Sequence, residues 1–465
     1  MTAITAPPLS GSQRNVERAI IKALDQSAFT RRHIIFTAAI LASLFFDYGK
    51  PIALSFVIPG MRETFGLTPV QGSLLPLFGL TGTTIGAIFW GWMSDRVGRR
   101  VTLLWTVAIF SVASLCGLTQ AYWQSLLACF IMGFGVGAEV PAVLAAEYIP
   151  ARYRARALLF LGIIGWLGGY AITASLSALF NTFLEPTYAW RLIWLVNIIP
   201  GILVVIMRRR ILPESARFLL HKGKVDEALQ AAESIVGPIK VDHLLNGPAE
   251  DAGGEATDAT GMSLSVPHSR LHWRAILLGL FSLLVGFANF GFVIWLPTIL
   301  QNLQIKTTVA SANLAASSLI AIPALILTIP ILHRLGTRRT LITYALGAGI
   351  AMFFLGLGTG RGNMSTFFLI AVVSTIFFFM TSIGGVLSLY GVEIFPTGLR
   401  ARLSGLVAAL GRVGALSGPF TVSIWIQRSG AISVLEIALA VILVLAAVFL
   451  VTLRVETHGR TLEQI

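Results

Sequence analysis

Among the ionisable residues inside long apolar stretches of this 465-residue sequence, four stand out: Asp47, Lys50, Glu139 and Arg412. A charge at the middle of a bilayer costs at least about 2.5 kcal/mol on insertion scales, so each needs a cavity or a partner. Asp47 lies in SLFFDYGKPIALSF, with Lys50 about one helical turn later. Two readings stand for this pair: a satisfied internal ion bridge, or a proton-sensitive carboxylate beside a cation in a central cavity. Burial raises a carboxylate pKa and a nearby lysine lowers it, so the sequence leaves the balance open. Glu139 lies in GFGVGAEVPAVLAAEY, behind Gly133, Gly135, Gly137 and Ala138. Those small residues predict tight packing around a buried carboxylate, which either carries a proton or neutralises a basic neighbour such as Arg412. Arg412 lies in LVAALGRVGALSGPF, flanked by Gly411, Gly414 and Gly418. Its rigid guanidinium fork suits a carboxylate or phosphate, and the glycines read as room for a ligand. The alternative is a counter-ion for Glu139 or Asp47. Tyr48, Trp166, Tyr170, Asn289, Phe290, Trp295, Phe379 and Tyr390 are candidates to line the same cavity. Rings offer apolar contact with a polar edge, although Trp and Tyr also collect at membrane interfaces.

The elements that carry these residues follow from composition. Hydrophobic residues make up 55% of the chain and charged residues only 12%, against about 25% charged in a soluble domain. An apolar run of roughly 20 residues crosses a bilayer as a helix. The runs fall at about 34–58, 70–92, 101–119, 124–147, 157–180 and 190–207, then 274–296, 310–332, 340–358, 366–390, 402–426 and 431–453. The expectation is an all-α membrane protein of twelve transmembrane helices in two six-helix halves. Its segments are an N-terminal stretch 1–33, a first half 34–207, a bridge 208–273, a second half 274–453 and a tail 454–465.

Loop charge orients it. Of the 34 Lys and Arg residues, 27 fall on alternate loops and both ends, from Arg14 through Arg460. Arg62, Arg191, Lys306, Arg361 and Arg428 take the other side. The positive-inside rule then puts both termini in the cytoplasm and the chain in the cell membrane, which in a bacterium is the inner membrane. The net charge of +13 is therefore a membrane-orienting charge and does not imply a nucleic-acid partner. The mixed, polar N-terminus and the long first span predict a retained helix instead of a cleaved signal. Cys116 and Cys129 both lie in apolar segments and imply neither a disulfide framework nor a metal pair. In the bridge, Asp226 to Val236 fits a short amphipathic helix, followed by the linker NGPAEDAGGEATDATG.

Two pairs of segments repeat. GWMSDRVGRR, Gly91 to Arg100, is echoed by LHRLGTRR, Leu332 to Arg339. AAEYIPARYRAR, Ala145 to Arg156, is echoed by GVEIFPTGLRAR, Gly391 to Arg402. Matching positions argue for duplicated halves, the organisation of an alternating-access carrier. Gly91, Asp95, Arg96, Gly98, Arg99 and Arg100 form a candidate gating latch, with Asp95 close to a helix N-terminus that favours an anion. Glu147 is expected to pair with Arg154 or Arg156, and Glu393 with Arg400 or Arg402. Glu214 and Arg217 from the bridge are candidates to join them. In the second loop His333 and Thr337 replace the acid and first arginine, which predicts a weaker latch there.

These motifs resemble the major facilitator superfamily over almost the whole chain. GWMSDRVGRR is similar to its loop motif after helix two, while PESARFLL and ETHGRTLEQI resemble signatures of the sugar-porter branch. GVGAEVP resembles the acidic helix-four motif of proton-coupled phosphate, aromatic-acid and organic-ion carriers. GRVG resembles the helix-eleven arginine of the organic-ion and synaptic-vesicle-protein-like branches. The resemblance implies a functional carboxylate at Glu139 and an anionic substrate at Arg412. Spans five and seven lack the glutamines of hexose porters, and span one has Asp47 without the second aspartate usual in aromatic-acid carriers.

The expected function is secondary active transport, proton-coupled uptake of a small carboxylate-type organic anion, with the proton as coupling ion and no other cofactor. Substrate would take the arginine while a proton neutralises the released acid. Alternatives are a proton symporter for a sugar, polyol or phosphate, and a drug or metabolite exporter; GIIGWLGGY in span five has no proline, which ranks export lower. The chain is not expected to be an enzyme: its seven histidines avoid the span centres, and GLGTGRGN lacks the strand context of a nucleotide loop. The lipid bilayer and a small anionic molecule are the expected partners, with the monomer as the working unit.

Overall fold

The computed structural model describes residues 11–136, 140–199, 202, 212–239, 268–361, 365–395, 397–453 and 455. Regular structure there is helical. A short helix α1 (Gly11–Gln26) precedes α2 (Arg31–Phe65), α3 (Pro69–Val97), α4 (Arg99–Ala113, extended by a 3-10 turn to Leu118), α5 (Tyr122–Val136), α6 (Val140–Tyr148), α7 (Ala151–Phe183) and α8 (Pro186–Val196). The bridge contributes α9 (Ala216–His221) and α10 (Val225–Val236). Then follow α11 (His268–Asn302), α12 (Thr307–Leu335), α13 (Thr337–Gly360), α14 (Thr366–Glu393), α15 (Thr397–Arg428) and α16 (Ile432–Thr452). Ten spans among the described residues are long and apolar enough to cross a membrane. Bent α12 makes eleven, its two parts meeting at 48° after Pro323. The sixth expected span runs beyond the end of α8, outside the described residues. Many apolar side chains that would be buried in a soluble protein are exposed here, as a lipid-facing surface requires.

Local chemistry sets the helix ends. Thr68 Oγ1 accepts from the Gln71 N–H while Gln71 Oε1 accepts from the Thr68 N–H, a reciprocal cap that starts α3 with Pro69 in its first turn. Ser365 caps α14 with a single bond, its Oγ accepting from the Phe368 N–H. Gly98 and Gly336 each separate two helices by a single residue with positive φ, +116° and +82°. They occupy matching places in the two repeated loops, so the sequence echo is also a conformational one. A side chain there would be strained, which fits glycine at both.

Small residues set helix spacing. A methyl group on Gly133 would collide with the carbonyl of Gly79, and one on Gly82 or Gly86 with the backbone of Phe130 or Phe134, so α3 and α5 touch backbone to backbone. Gly411, Gly414 and Gly418 do the same for α15 against Ser282, Leu283 and Phe287 of α11. The glycines around Arg412 therefore seat its helix on α11; they do not clear space for a ligand as the sequence reading expected. Without a hydrophobic drive between helices in lipid, such close approach supplies the packing energy.

The first-half helices pack on one another, as do α11–α16, and among the described residues the two groups meet chiefly where α2 packs on α11, α3 on α15, and α7 on both α12 and α14.

Candidate functional site

Aromatic residues from both halves meet near the centre. Trp166 of α7 packs edge-on against Tyr48 of α2, with ring centroids 5.8 Å apart, and against Phe290 of α11 at 6.0 Å. One turn along α7, Tyr170 meets Phe56 of α2 at 5.4 Å and Phe377 of α14 at 4.7 Å. Gly165, Gly168 and Gly169 make this approach possible, since a methyl on them would strike Tyr48, Phe45 or the backbone of Gly49. Four of the predicted lining residues, Tyr48, Trp166, Tyr170 and Phe290, thus form one seam between the halves. Asn289, half-buried, adjoins it on α11, and half-buried Asp47 adjoins it beside Tyr48. The Tyr170 hydroxyl is fully buried and has no hydrogen-bond partner among the described residues. Phe56 and Phe377 were missed in the sequence because phenylalanine is too frequent here, at 29 residues, for any one to stand out.

Three predicted lining residues lie elsewhere. Trp295 is fully buried between α11 and α15 and donates its indole N–H to the Pro419 carbonyl at 2.8 Å. Phe379 packs on Tyr344 and over Gly347 of α13. Tyr390 donates its hydroxyl to the Val455 carbonyl at 2.6 Å, at the end of α14 that carries the basic loops. Each satisfies a packing or backbone demand within the second half, which side-chain type alone does not reveal.

Arg412 is half-buried and makes no ion pair with the described residues. Eleven residues, three turns of helix, separate it from Ser423 on nearly the same face of α15. Ser423 donates to Ser73 of α3 at 3.0 Å. Arg412 therefore lies on the side of α15 turned toward the first half, about 16 Å from that contact along the axis. Glu139 lies outside the described residues, as do the side chains of Lys50, Arg156 and Arg400.

The halves are tied at one face. Besides Ser73 with Ser423, Ser177 of α7 and Ser311 of α12 share a hydrogen bond at 3.0 Å, the Val70 N–H donates to Gln427, and Thr308 donates to the Asn181 carbonyl. All four lie at the helix ends remote from the basic loops. At the basic face the contacts Arg99–Glu147, Arg154–Asp25, Arg217–Asp25, Glu214–Arg100 and Thr337–Glu393 each lie on one side of the division between the halves. Gly162, Gly384 and Gly405, toward the basic ends of α7, α14 and α15, face open space.

The basic face is instead braced within the first half. Arg99 reaches Asp95 at 3.1 Å and Glu147 at 3.5 Å, with Arg99 and Glu147 largely shielded and Asp95 exposed. The anion at the start of α4 is Glu214 of the bridge, which accepts from the Arg100 N–H at 3.0 Å; Asp95 belongs to the last turn of α3. Arg154 does not pair with Glu147. It binds Asp25 of α1, which also accepts from Arg217 at 2.9 Å. The apolar face of α1, with Ala19, Ile20 and Leu24 buried, docks it on the bridge and so delivers Asp25 to both arginines. Asp25 was missed because nothing in a polar N-terminal segment marks one carboxylate among others. In the second half Glu393 accepts from Thr337 at 3.2 Å, while Arg402 is exposed. Gly91 and Arg96 are exposed too.

Comparison with known proteins agrees with this architecture. A family model described as sugar (and other) transporter matches residues 55–465. The niacin transporter NiaP of Acinetobacter baylyi is 28% identical, covering 89% of this chain and 91% of that one. The cis,cis-muconate transport protein of the same organism is 29% identical, covering 84% and 86%. An inward open structure of the xylose transporter XylE from E. coli superposes with a TM-score of 0.72 at 19% identity, covering 93% of this chain and 98% of that one. The chain belongs to the sugar (and other) transporter family of the major facilitator superfamily; it is a multi-pass membrane transporter, not an enzyme.

Proposed function

We propose that this transporter takes up a small organic anion together with protons, by alternating access between its two halves. The observation that carries the reading is Arg412: a guanidinium without an ion pair among the described residues, on the inter-half side of α15 and below the closed Ser73–Ser423 contact. A carboxylate held in its fork would sit between the halves, which the Tyr48–Trp166–Phe290 seam also bridges, and ring edges suit a flat, partly apolar body. Relatives named for niacin and for cis,cis-muconate, both carboxylic acids, support the same class. With the basic face in the cytoplasm, the ties at the other face would close the outer side, as an inward-open state requires. Asp47 and Glu139 are the proposed proton sites. Protonation of either removes a negative charge from within an apolar span, which biases two states that differ by only a few kcal/mol.

Uptake into proteoliposomes tests the proposal, with carboxylates, sugars, phosphate and cations offered with and without a proton gradient. Saturable carboxylate uptake is expected from the wild type, and its loss from a folded R412A. Normal transport by R412A would refute the anion site. E139Q or D47N is expected to lose accumulation driven by a pH gradient while retaining counterflow exchange. Unchanged accumulation in both would refute the proton roles.

A further inference from the structure

We propose that the groove between the α3–α4 turn and the bridge binds a phosphate group, supplied by the headgroup of an anionic phospholipid. The groove has a volume of about 780 Å³. Arg96 and Arg100 line one wall; Phe218, Lys222, Gln230 and Ser234 line the other. Its carboxylates are already engaged. Glu214 accepts from the Arg100 and Ser215 N–H groups, and Glu227 pairs with Lys224 at 2.8 Å. Arg96 and Lys222 make no ion pair with the described residues. Each rests on a ring instead, Arg96 4.2 Å over Trp92 and Lys222 5.6 Å over Phe218. These contacts hold the two cations at the groove without neutralising them. A guanidinium fork, an ammonium and an amide around one space match an oxyanion with acceptors in several directions, as a phosphate has.

The source follows from depth. Trp92, 51% exposed, stands one turn before Arg96 at the basic end of the α3 span. Exposed tryptophan collects at headgroup level, where anionic lipids also draw basic residues. Because one wall is the α3–α4 turn and the other the bridge, an occupant ties the bridge to the transmembrane helices.

Hydrogen exchange of segment 216–236 in the full chain tests this, in nanodiscs of phosphatidylcholine with or without phosphatidylglycerol. Phosphatidylglycerol is expected to slow exchange about tenfold, and R96Q or K222Q to remove most of that protection. K306Q, at the opposite face, should keep it. Lys222 is exposed on the bridge, so K222Q keeps the test available if R96Q fails to fold. Millimolar glycerol phosphate in phosphatidylcholine discs separates the sources. Protection by it would overturn the headgroup source and leave a soluble phosphate in its place. Equal protection by phosphatidylglycerol in wild type, R96Q and K222Q, or none in wild type, would overturn the site altogether.

Discussion

Gly98 and Glu214 are in contact across the bridge, with no room for a methyl group between them. Gly98 holds φ at +116°, which turns the start of α4 toward the bridge and lets Glu214 accept the Arg100 N–H at 3.0 Å. The latch thus closes on a backbone amide at a helix N-terminus, where a carboxylate is favoured. G98A should cost about 1–3 kcal/mol in backbone strain, since φ +116° with ψ 156° is open essentially to glycine, and displace Glu214 as well. That is at least about a fivefold shift toward an undocked bridge, visible as faster hydrogen exchange over 216–236. Exchange equal to wild type would mean the contact does not hold the bridge.

Asp25 and Arg154 should be energetically coupled, and Glu147 and Arg154 should not. A double-mutant cycle of D25N and R154Q is expected to give an interaction of about 0.5–3 kcal/mol in denaturant unfolding. The cycle of E147Q and R154Q should be additive within about 0.5 kcal/mol. Coupling in the second cycle alone would restore the pairing suggested by sequence.

The ties at the face remote from the basic loops should be trappable. Ser73 and Ser423 meet at 3.0 Å, so S73C/S423C in a C116S/C129S background is expected to cross-link on oxidation. Transport should stop when the bond forms and return with reductant. A cross-linked protein that still transports would show that this contact need not open.

The Tyr170 hydroxyl is buried with no partner among the described residues, so its removal should cost no stability. Y170F is expected to be neutral or more stable by up to about 1–3 kcal/mol, the penalty of an unpaired buried polar group. Lower transport at unchanged stability would mean that the hydroxyl finds its partner in another state or on substrate. Destabilisation in unfolding measurements would show that it is already satisfied.

The aromatic seam shows how far residue type carries. Trp166 and Phe290 are 124 positions apart and meet only because α7 and α11 face each other across the halves. Trp295 and Tyr390 looked equally suitable by type, yet each is spent on a backbone carbonyl. Glu436 also escaped notice. It sits fully buried in α16 with Thr359 of α13 beside it, inside a run so apolar that one acid barely altered its hydropathy.

Hydropathy, charge asymmetry and the repeated loops by themselves determined a helical membrane carrier built as two related halves. Those properties are local: a span is apolar, a loop basic and Gly98 or Gly336 a glycine whatever the helices later touch. Partner choice was decided by tertiary structure. Docking of α1 on the bridge brings Asp25 to Arg154 and Arg217, and Glu214 reaches α4 from 114 residues away. The glycines around Arg412 show the same division. Their spacing was plain in the sequence, but only the packing of α15 on α11 turned apparent room for a ligand into a helix contact. A side chain's chemistry belongs to its residue; what it pairs with depends on how chain segments distant in sequence are brought together.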